Sequence, residues 1–109
     1  MDIADWRKKI DEIDRKLVGL LCERAHAAHA IGKLKHAAGV PIYEPDREKT
    51  VFDNARNANR GPLPDRDLLR IYERIVDVMR QSEMAEAAPK AAAPSDGLGE
   101  TELDTEVND

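Results

Sequence analysis

Two basic side chains, Arg24 and Lys35, fall on the apolar face of a segment that the sequence predicts to be helical. Arg24 occupies a position where the apolar repeat otherwise has a hydrocarbon side chain. Lys35 follows three turns later on almost the same face, with only Ala28 and Ile31 between them on that face. A buried charge is costly unless something pairs with it. We therefore interpret the two cations as the lining of a dry pocket that binds an anion inside a helical assembly.

The segment that must position these cations runs from Ile3 to Ala38 and repeats alternately every third and every fourth residue. The repeat extends over about five heptads, which predicts one continuous helix with a packed seam. Its members are Ile3, Trp6, Ile10, Ile13, Leu17, Leu20, Arg24, Ala27, Ile31, Leu34 and Ala38. The alternative is a break at Gly19 or Gly32, but an isolated glycine costs a helix only ~1 kcal/mol.

The length of this helix predicts an intertwined homodimer. It would be roughly 54 Å long, whereas a compact domain of about 90 residues is about 30 Å across. In a single chain much of the apolar seam would face water, and a second copy would cover it. Arg7 and Arg24 are roughly 25 Å apart along the helix, too far to hold one small molecule together. In an antiparallel pair, Arg7 of one chain can lie beside Arg24 and Lys35 of the other, so we expect pockets shared between chains.

The rest of the chain predicts two more helices and a tail. Pro45 opens a second helix over about 45–58, and a third follows the Gly61-Pro62 stop over about 65–86. No period-two run of β-branched residues predicts a strand. We expect an all-α fold with three helices, formed by residues 1–86. Residues 87–109 are rich in Ala, Pro, Gly and acids without periodicity, and we expect an acidic, disordered tail.

Charge and composition exclude several classes of partner. The formal net charge of −5 resides entirely in residues 87–109, while residues 1–86 carry 16 basic and 16 acidic side chains. A neutral body offers no basic excess for nucleic acid. The sequence has no apolar run typical of a signal peptide or a membrane span, so we expect a cytoplasmic protein without membrane contact. The single cysteine excludes an intrachain disulfide.

The histidines are the residues that could suggest a metal site. His26, His29 and His36 lie within the first helix without a cluster of cysteines or carboxylates to complete a ligand set. We interpret them as solvated or helix-packing side chains. The sequence also lacks a Ser-His-Asp arrangement and a glycine-rich phosphate loop, and we expect neither a metal nor a cofactor.

Several spaced motifs resemble the all-helical class of chorismate mutase over residues 3–83 in one gapless register. They are Arg7-x-x-Ile10-Asp11-x-Ile13-Asp14, Leu17, Leu20-Leu21, Glu23-Arg24, Ile31-Gly32-x-x-Lys35, Gly39-x-Pro41-Ile42-Tyr43-x-Pro45-x-Arg47-Glu48 and Asn59-x-Gly61-Pro62-Leu63. The resemblance implies rearrangement of chorismate to prephenate, the step leading to phenylalanine and tyrosine. That pericyclic reaction requires no nucleophile, metal or cofactor. The enzyme folds a dianion into a near-attack geometry and stabilises charge on the breaking ether oxygen.

The resemblance also implies roles for individual residues. Arg24 would bind one substrate carboxylate, and Arg7 of the other subunit would bind the second. Lys35 would donate to the ether oxygen and to a carboxylate. Glu48 would accept a hydrogen bond from the substrate hydroxyl. The same end would be lined by Glu44, where the family usually has Asp, and by Arg47.

The sequence departs from the family pattern in the third helix. The family places a Ser and, four residues later, a Gln toward the pocket, and the matching positions here are Met79 and Glu83. Met79 removes a hydroxyl donor, and Glu83 can donate to the ether oxygen only when it is protonated. Ser82 and Glu86 have a similar spacing, but their use would break the alignment through Tyr72.

The sequence is also compatible with two alternatives. Isochorismate pyruvate-lyases share the scaffold and the cationic pocket, so the chain could be a lyase. Alternatively, a helical dimerisation or effector-binding module could retain the scaffold without activity, which the changes at Met79 and Glu83 would favour. The retained cations and Glu48 favour the mutase over this non-catalytic alternative.

Overall fold

The computed structural model describes residues 1–87 and contains, within them, three α-helices and no strand. Helix α1 spans Ile3–Ala38, α2 spans Pro45–Ala58 and α3 spans Asp65–Ala87. The all-helical, three-helix prediction is thereby confirmed. No helix of this part of the chain combines the length and the apolar character that crossing a membrane requires. The predicted acidic tail lies outside the described residues, apart from the end of α3.

Helix α1 is continuous for 36 residues, and neither Gly19 nor Gly32 interrupts it. Its start is fixed by a reciprocal capping box, in which Asp2 and Asp5 each accept the other's backbone N–H, at 2.9 and 3.1 Å. Its end is fixed by Gly39, which adopts the left-handed conformation at φ 69° that glycine tolerates best. Arg24 and Lys35 therefore lie on one continuous helix with defined ends.

Helix α3 packs against both α1 and α2 and supplies the centre of the fold. The buried apolar side chains of the described residues are Ala28 on α1, Ala55 on α2, and Val76 and Met79 on α3. Gly32 is also buried and lets α3 approach α1 closely, because a Cβ atom there would lie 2.6 Å from the Glu83 carbonyl oxygen. Small residues on one face of α1 therefore set the position of the last turns of α3.

The predicted seam of α1 is a different face, and most of it is bare. Eight large apolar side chains along it are 44–69% exposed in the single chain. They are Ile3, Trp6, Ile10, Ile13, Leu17, Leu20, Ile31 and Leu34. The radius of gyration is 17.1 Å, well above the ~12 Å of a compact domain of this length. In a single chain, the apolar stripe that the sequence predicts to be packed is therefore exposed to solvent.

Candidate active site

A cavity of about 400 Å³ lies between the C-terminal half of α1, the segment around the start of α2, and the C-terminal half of α3. Its apolar wall includes Ala28, Ile31, Val51, Val76 and Met79. Its charged lining comprises four basic and three acidic side chains: Arg24, Lys35, Arg47, Arg80, Glu44, Glu48 and Glu83. The excess of one positive charge and the apolar wall make the cavity suited to a small organic anion.

Lys35 is held by three oxygen atoms on different parts of the chain. Its Nζ lies 2.8 Å from the Ile42 carbonyl oxygen, 2.8 Å from Glu44 Oε1 and 3.2 Å from Glu83 Oε1. Only 12% of its side chain is exposed. Burial lowers the pKa of Lys35, but the hydrogen bonds to Glu44 and Glu83 together raise it by more, so it lies above the ordinary 10.5. Lys35 is therefore a fixed, fully charged donor.

Glu83 reaches Lys35 from α3 because of the close approach of the two helices at Gly32. Its side chain is 17% exposed, whereas that of Glu44 is 54% exposed. The two carboxylates on Lys35 thus differ in setting, with Glu83 inside the cavity and Glu44 at its mouth. Between them they compensate the charge of the lysine.

Arg80 also lines the cavity, and sequence reasoning did not identify it. Its Nε and Nη2 atoms donate to the two oxygens of Glu48 at 2.8 and 3.1 Å. The guanidinium also lies 5.1 Å from the centre of the Tyr43 ring. The hydrogen bonds to Glu48 outweigh burial and raise the pKa of Arg80 above its ordinary value. The sequence feature that could have identified Arg80 is its position between Met79 and Glu83, two residues already predicted to face the pocket.

The cavity brings together seven of the eight side chains predicted for the site. They are Arg24, Lys35, Glu44, Arg47, Glu48, Met79 and Glu83. The eighth, Arg7, is exposed near the other end of α1 and does not line the cavity of its own chain. Ser82, the slipped alternative to Met79, does not line it either. The roles predicted for these residues stay predictions.

The charged side chains of the cavity are arranged for electrostatic binding of an anion. Among residues 1–87 there is no group of three histidine, cysteine or acidic side chains placed to hold a metal ion. The acidic side chains of the cavity are instead paired with cations, at Lys35 and at Arg80. Preorganised donors on an apolar wall can bind an anion and stabilise negative charge that develops on it.

Comparison with known proteins gives a consistent result. Residues 6–84 match the family described as chorismate mutase type II. A chorismate mutase of Methanocaldococcus jannaschii is 34% identical over 76 residues, which covers 69% of this chain and 77% of that protein. A bifunctional chorismate mutase/prephenate dehydratase of Aquifex aeolicus is 34% identical over 98 residues, which covers 83% of this chain. The chain spans only 27% of the length of this bifunctional relative.

The fold gives the same relationship. The structure of a chorismate mutase from Thermus thermophilus, in its form II, superposes with a TM-score of 0.73 at 30% sequence identity. The superposition covers 75% of this chain and 93% of that one. The similarity in fold and the similarity in sequence therefore point to the same family.

Proposed function

The chain belongs to the chorismate mutase type II family, and we propose that it rearranges chorismate to prephenate in the cavity described above. The observation that carries this proposal is a lining with more cations than carboxylates on an apolar wall, which suits a small dicarboxylate. The reaction would serve phenylalanine and tyrosine biosynthesis. With it we propose a cytoplasmic location, because the substrate is a small, water-soluble acid.

Lys35 is the group best placed to stabilise charge on the breaking ether oxygen. An ammonium group has three N–H donors, and those of Lys35 face Ile42, Glu44 and Glu83. Substrate must therefore replace one of these partners. Glu44 is the more exposed of the two acids, so its release into water costs least. Lys35 would then keep two anchors while its third proton turns toward the substrate.

The other charged side chains would fix the orientation of the substrate. Arg24 would bind one carboxylate with its planar fork. Glu48 would accept a hydrogen bond from the ring hydroxyl, with Arg47 at the same end of the cavity. Glu83, when protonated, would donate a second hydrogen bond to the ether oxygen. Met79 would add apolar surface where a relative with serine has a donor. Together these contacts would hold a near-attack conformer.

We also propose that the working form is a homodimer in which α1 helices pack against each other along their seams. The bare apolar stripe on α1 supports this, because such a stripe is unfavourable in water. The site supports it independently, since Arg7 lies at the far end of the helix from the cavity of its own chain. A second chain in antiparallel orientation would bring its Arg7 to the second carboxylate.

The function is tested by following the loss of chorismate absorbance and the formation of prephenate, with a parallel incubation of isochorismate. We expect turnover of chorismate, and no pyruvate released from isochorismate. Pyruvate release without prephenate formation would identify a lyase. Binding of chorismate without turnover of either compound would identify an effector-binding module, and each result would overturn the proposal.

The shared site is tested by mixing two inactive variants, Arg7→Ala and Arg24→Ala. After subunit exchange, a heterodimer would contain one pocket with both substitutions and one intact pocket, so part of the activity should return. Exchange is verified separately with differently tagged subunits. Exchange without recovery would show that each site is complete within one chain.

A further inference from the structure

Arg80 is the arginine of the cavity whose hydrogen-bond donors are most fully occupied. The mechanism proposed above gives it no role. Its two parallel hydrogen bonds to Glu48 have the bidentate geometry typical of strong arginine–carboxylate pairs. The pair joins α3 to the first turn of α2. Glu48 and Arg80 are 21% and 30% exposed, so both belong to the partly buried wall and not to the surface.

The guanidinium is fixed on more than one side. Its Nη1 atom lies 3.4 Å from Asp77 Oδ1, one turn earlier on α3. Its central carbon lies 5.1 Å from the centre of the Tyr43 ring. The Nε and Nη2 edge is directed at Glu48 and thus has no free face for a substrate carboxylate. This geometry distinguishes Arg80 from Arg24 and Arg47, for which the structure shows no such occupied fork among the described residues.

Glu48 gains orientation from this pair without losing its capacity to accept. Each carboxylate oxygen has two acceptor positions, and Arg80 occupies one on each oxygen. A glutamate without such a pair would sample several rotamers at the helix surface. With it, the remaining lone pairs of Glu48 are held in one direction at the cavity wall.

We propose that Arg80 is a positioning residue that fixes the Glu48 carboxylate as the acceptor for the hydroxyl of the substrate. The inference rests on the proposed function, in which Glu48 contacts that hydroxyl. Arg80 acts through Glu48 and does not touch the substrate. Lysine cannot replace it, because a point charge does not reproduce the planar, two-point contact.

The test is a double-mutant cycle with Arg80→Gln, Glu48→Gln and the double variant, measured as kcat and KM for chorismate. Loss of a charge-assisted contact is on the order of 10-fold to 100-fold in kcat/KM, and we expect this for Arg80→Gln. In the Glu48→Gln background, Arg80→Gln should cost less than about 3-fold, because its target is already gone. Compared with Arg80→Gln, the Arg80→Lys variant should recover thermal stability but not kcat/KM. It serves as the test variant if Arg80→Gln does not fold.

Arg74→Gln is the matched control. Arg74 lies on the same helix, does not line the cavity, and contacts Asp77 at 3.9 Å with 82% of its side chain exposed. We expect it to leave kcat/KM unchanged.

Three results would overturn the proposal. Equal losses from Arg80→Gln in both backgrounds would mean that Arg80 contacts the substrate directly. Full recovery of kcat/KM by Arg80→Lys, or unchanged kcat/KM in Arg80→Gln, would mean that the pair only joins the helices. A wild-type protein without chorismate turnover would instead refute the proposed function itself, which separates the two failures.

Discussion

Gly32 is the residue whose substitution tests most directly how the fold positions the site. An added Cβ atom would lie 2.6 Å from the carbonyl oxygen, 2.9 Å from the Cα atom and 3.2 Å from the carbonyl carbon of Glu83. All three are backbone atoms, so no side-chain rotation can relieve the overlap. Ordinary contact begins at 3.4 Å, so the carbonyl oxygen and the Cβ atom must separate by a further 0.8 Å or so.

Gly32→Ala therefore has two opposing effects on the stability of the fold. Alanine favours the helix by ~1 kcal/mol, whereas overpacking of this kind costs about 1–3 kcal/mol. We expect the free energy of unfolding to fall by up to about 2 kcal/mol overall, where the Gly19→Ala control gains stability. Displacement of α3 would also lengthen the 3.2 Å contact between Lys35 and Glu83 beyond hydrogen-bond range. A misplacement of about 1 Å can cost ~10²-fold in rate, and we expect a loss of that order in kcat.

The assay combines chemical denaturation at one fixed protein concentration with steady-state turnover of chorismate. Gly19→Ala is the control, because Gly19 lies in the same helix and a Cβ atom there would meet nothing within 4 Å. The control should gain up to ~1 kcal/mol and keep its activity. A Gly32→Ala protein as stable and as active as the control would show that the helices can separate freely at this point, and would refute the argument.

Three further predictions concern Arg24, Lys35 and Glu83. Arg24→Ala or Lys35→Ala should lower kcat/KM by roughly 10²-fold while the protein remains folded by circular dichroism, and near-normal turnover would remove that residue from the site. Glu83→Gln places a permanent amide donor at the position of the acid and should retain or raise kcat/KM, whereas a loss as large as that of Lys35→Ala would exclude Glu83 as a donor to the ether oxygen. Because the folded-state pKa of Lys35 is raised above 10.5, its contribution to stability is complete below pH 10.5 and is lost as pH rises through the higher folded value. Denaturation curves should therefore show an alkaline loss that is smaller in Lys35→Met.

Local signals explain why the helices could be predicted from the sequence. Asp2 before the apolar repeat determines a boundary through its side-chain cap, and Gly39 after the repeat and Pro45 at the start of α2 do so through backbone geometry. The bare seam of α1 was likewise visible as a repeat, because residue spacing determines which side chains share a helix face.

The ion-pair partners inside the cavity were beyond sequence reasoning for a physical reason. Arg80 and Glu48 are 32 positions apart, on different helices, and their contact depends on the packing of α3 against α2. The anchoring of Lys35 by the Ile42 carbonyl depends on the path of the loop after α1, which residue types do not specify. Periodicity identifies the helix face on which a charged side chain lies. Whether two charged side chains form an ion pair also depends on the distance between the faces of neighbouring helices, which periodicity does not give.

The charge balance of the cavity gives a reason for the proposed second chain that is independent of the apolar seam. The cavity contains four cations and three carboxylates, and all three acids already contact cations, at Lys35 and at Arg80. While Glu83 is ionised as the partner of Lys35, a single chain therefore offers one excess positive charge to a substrate with two negative charges. Release of Glu44 frees Lys35 but adds no cation, because the carboxylate remains at the mouth. Arg7 of a second chain would supply the missing charge, and a site completed in this way would be neutral only when substrate and both chains are present.

Coupling of substrate binding to dimer formation follows from this balance, so chorismate should lower the protein concentration at which dimers dissociate in sedimentation experiments. Dissociation at the same concentration with and without substrate would show that the partner contributes no charge to the site.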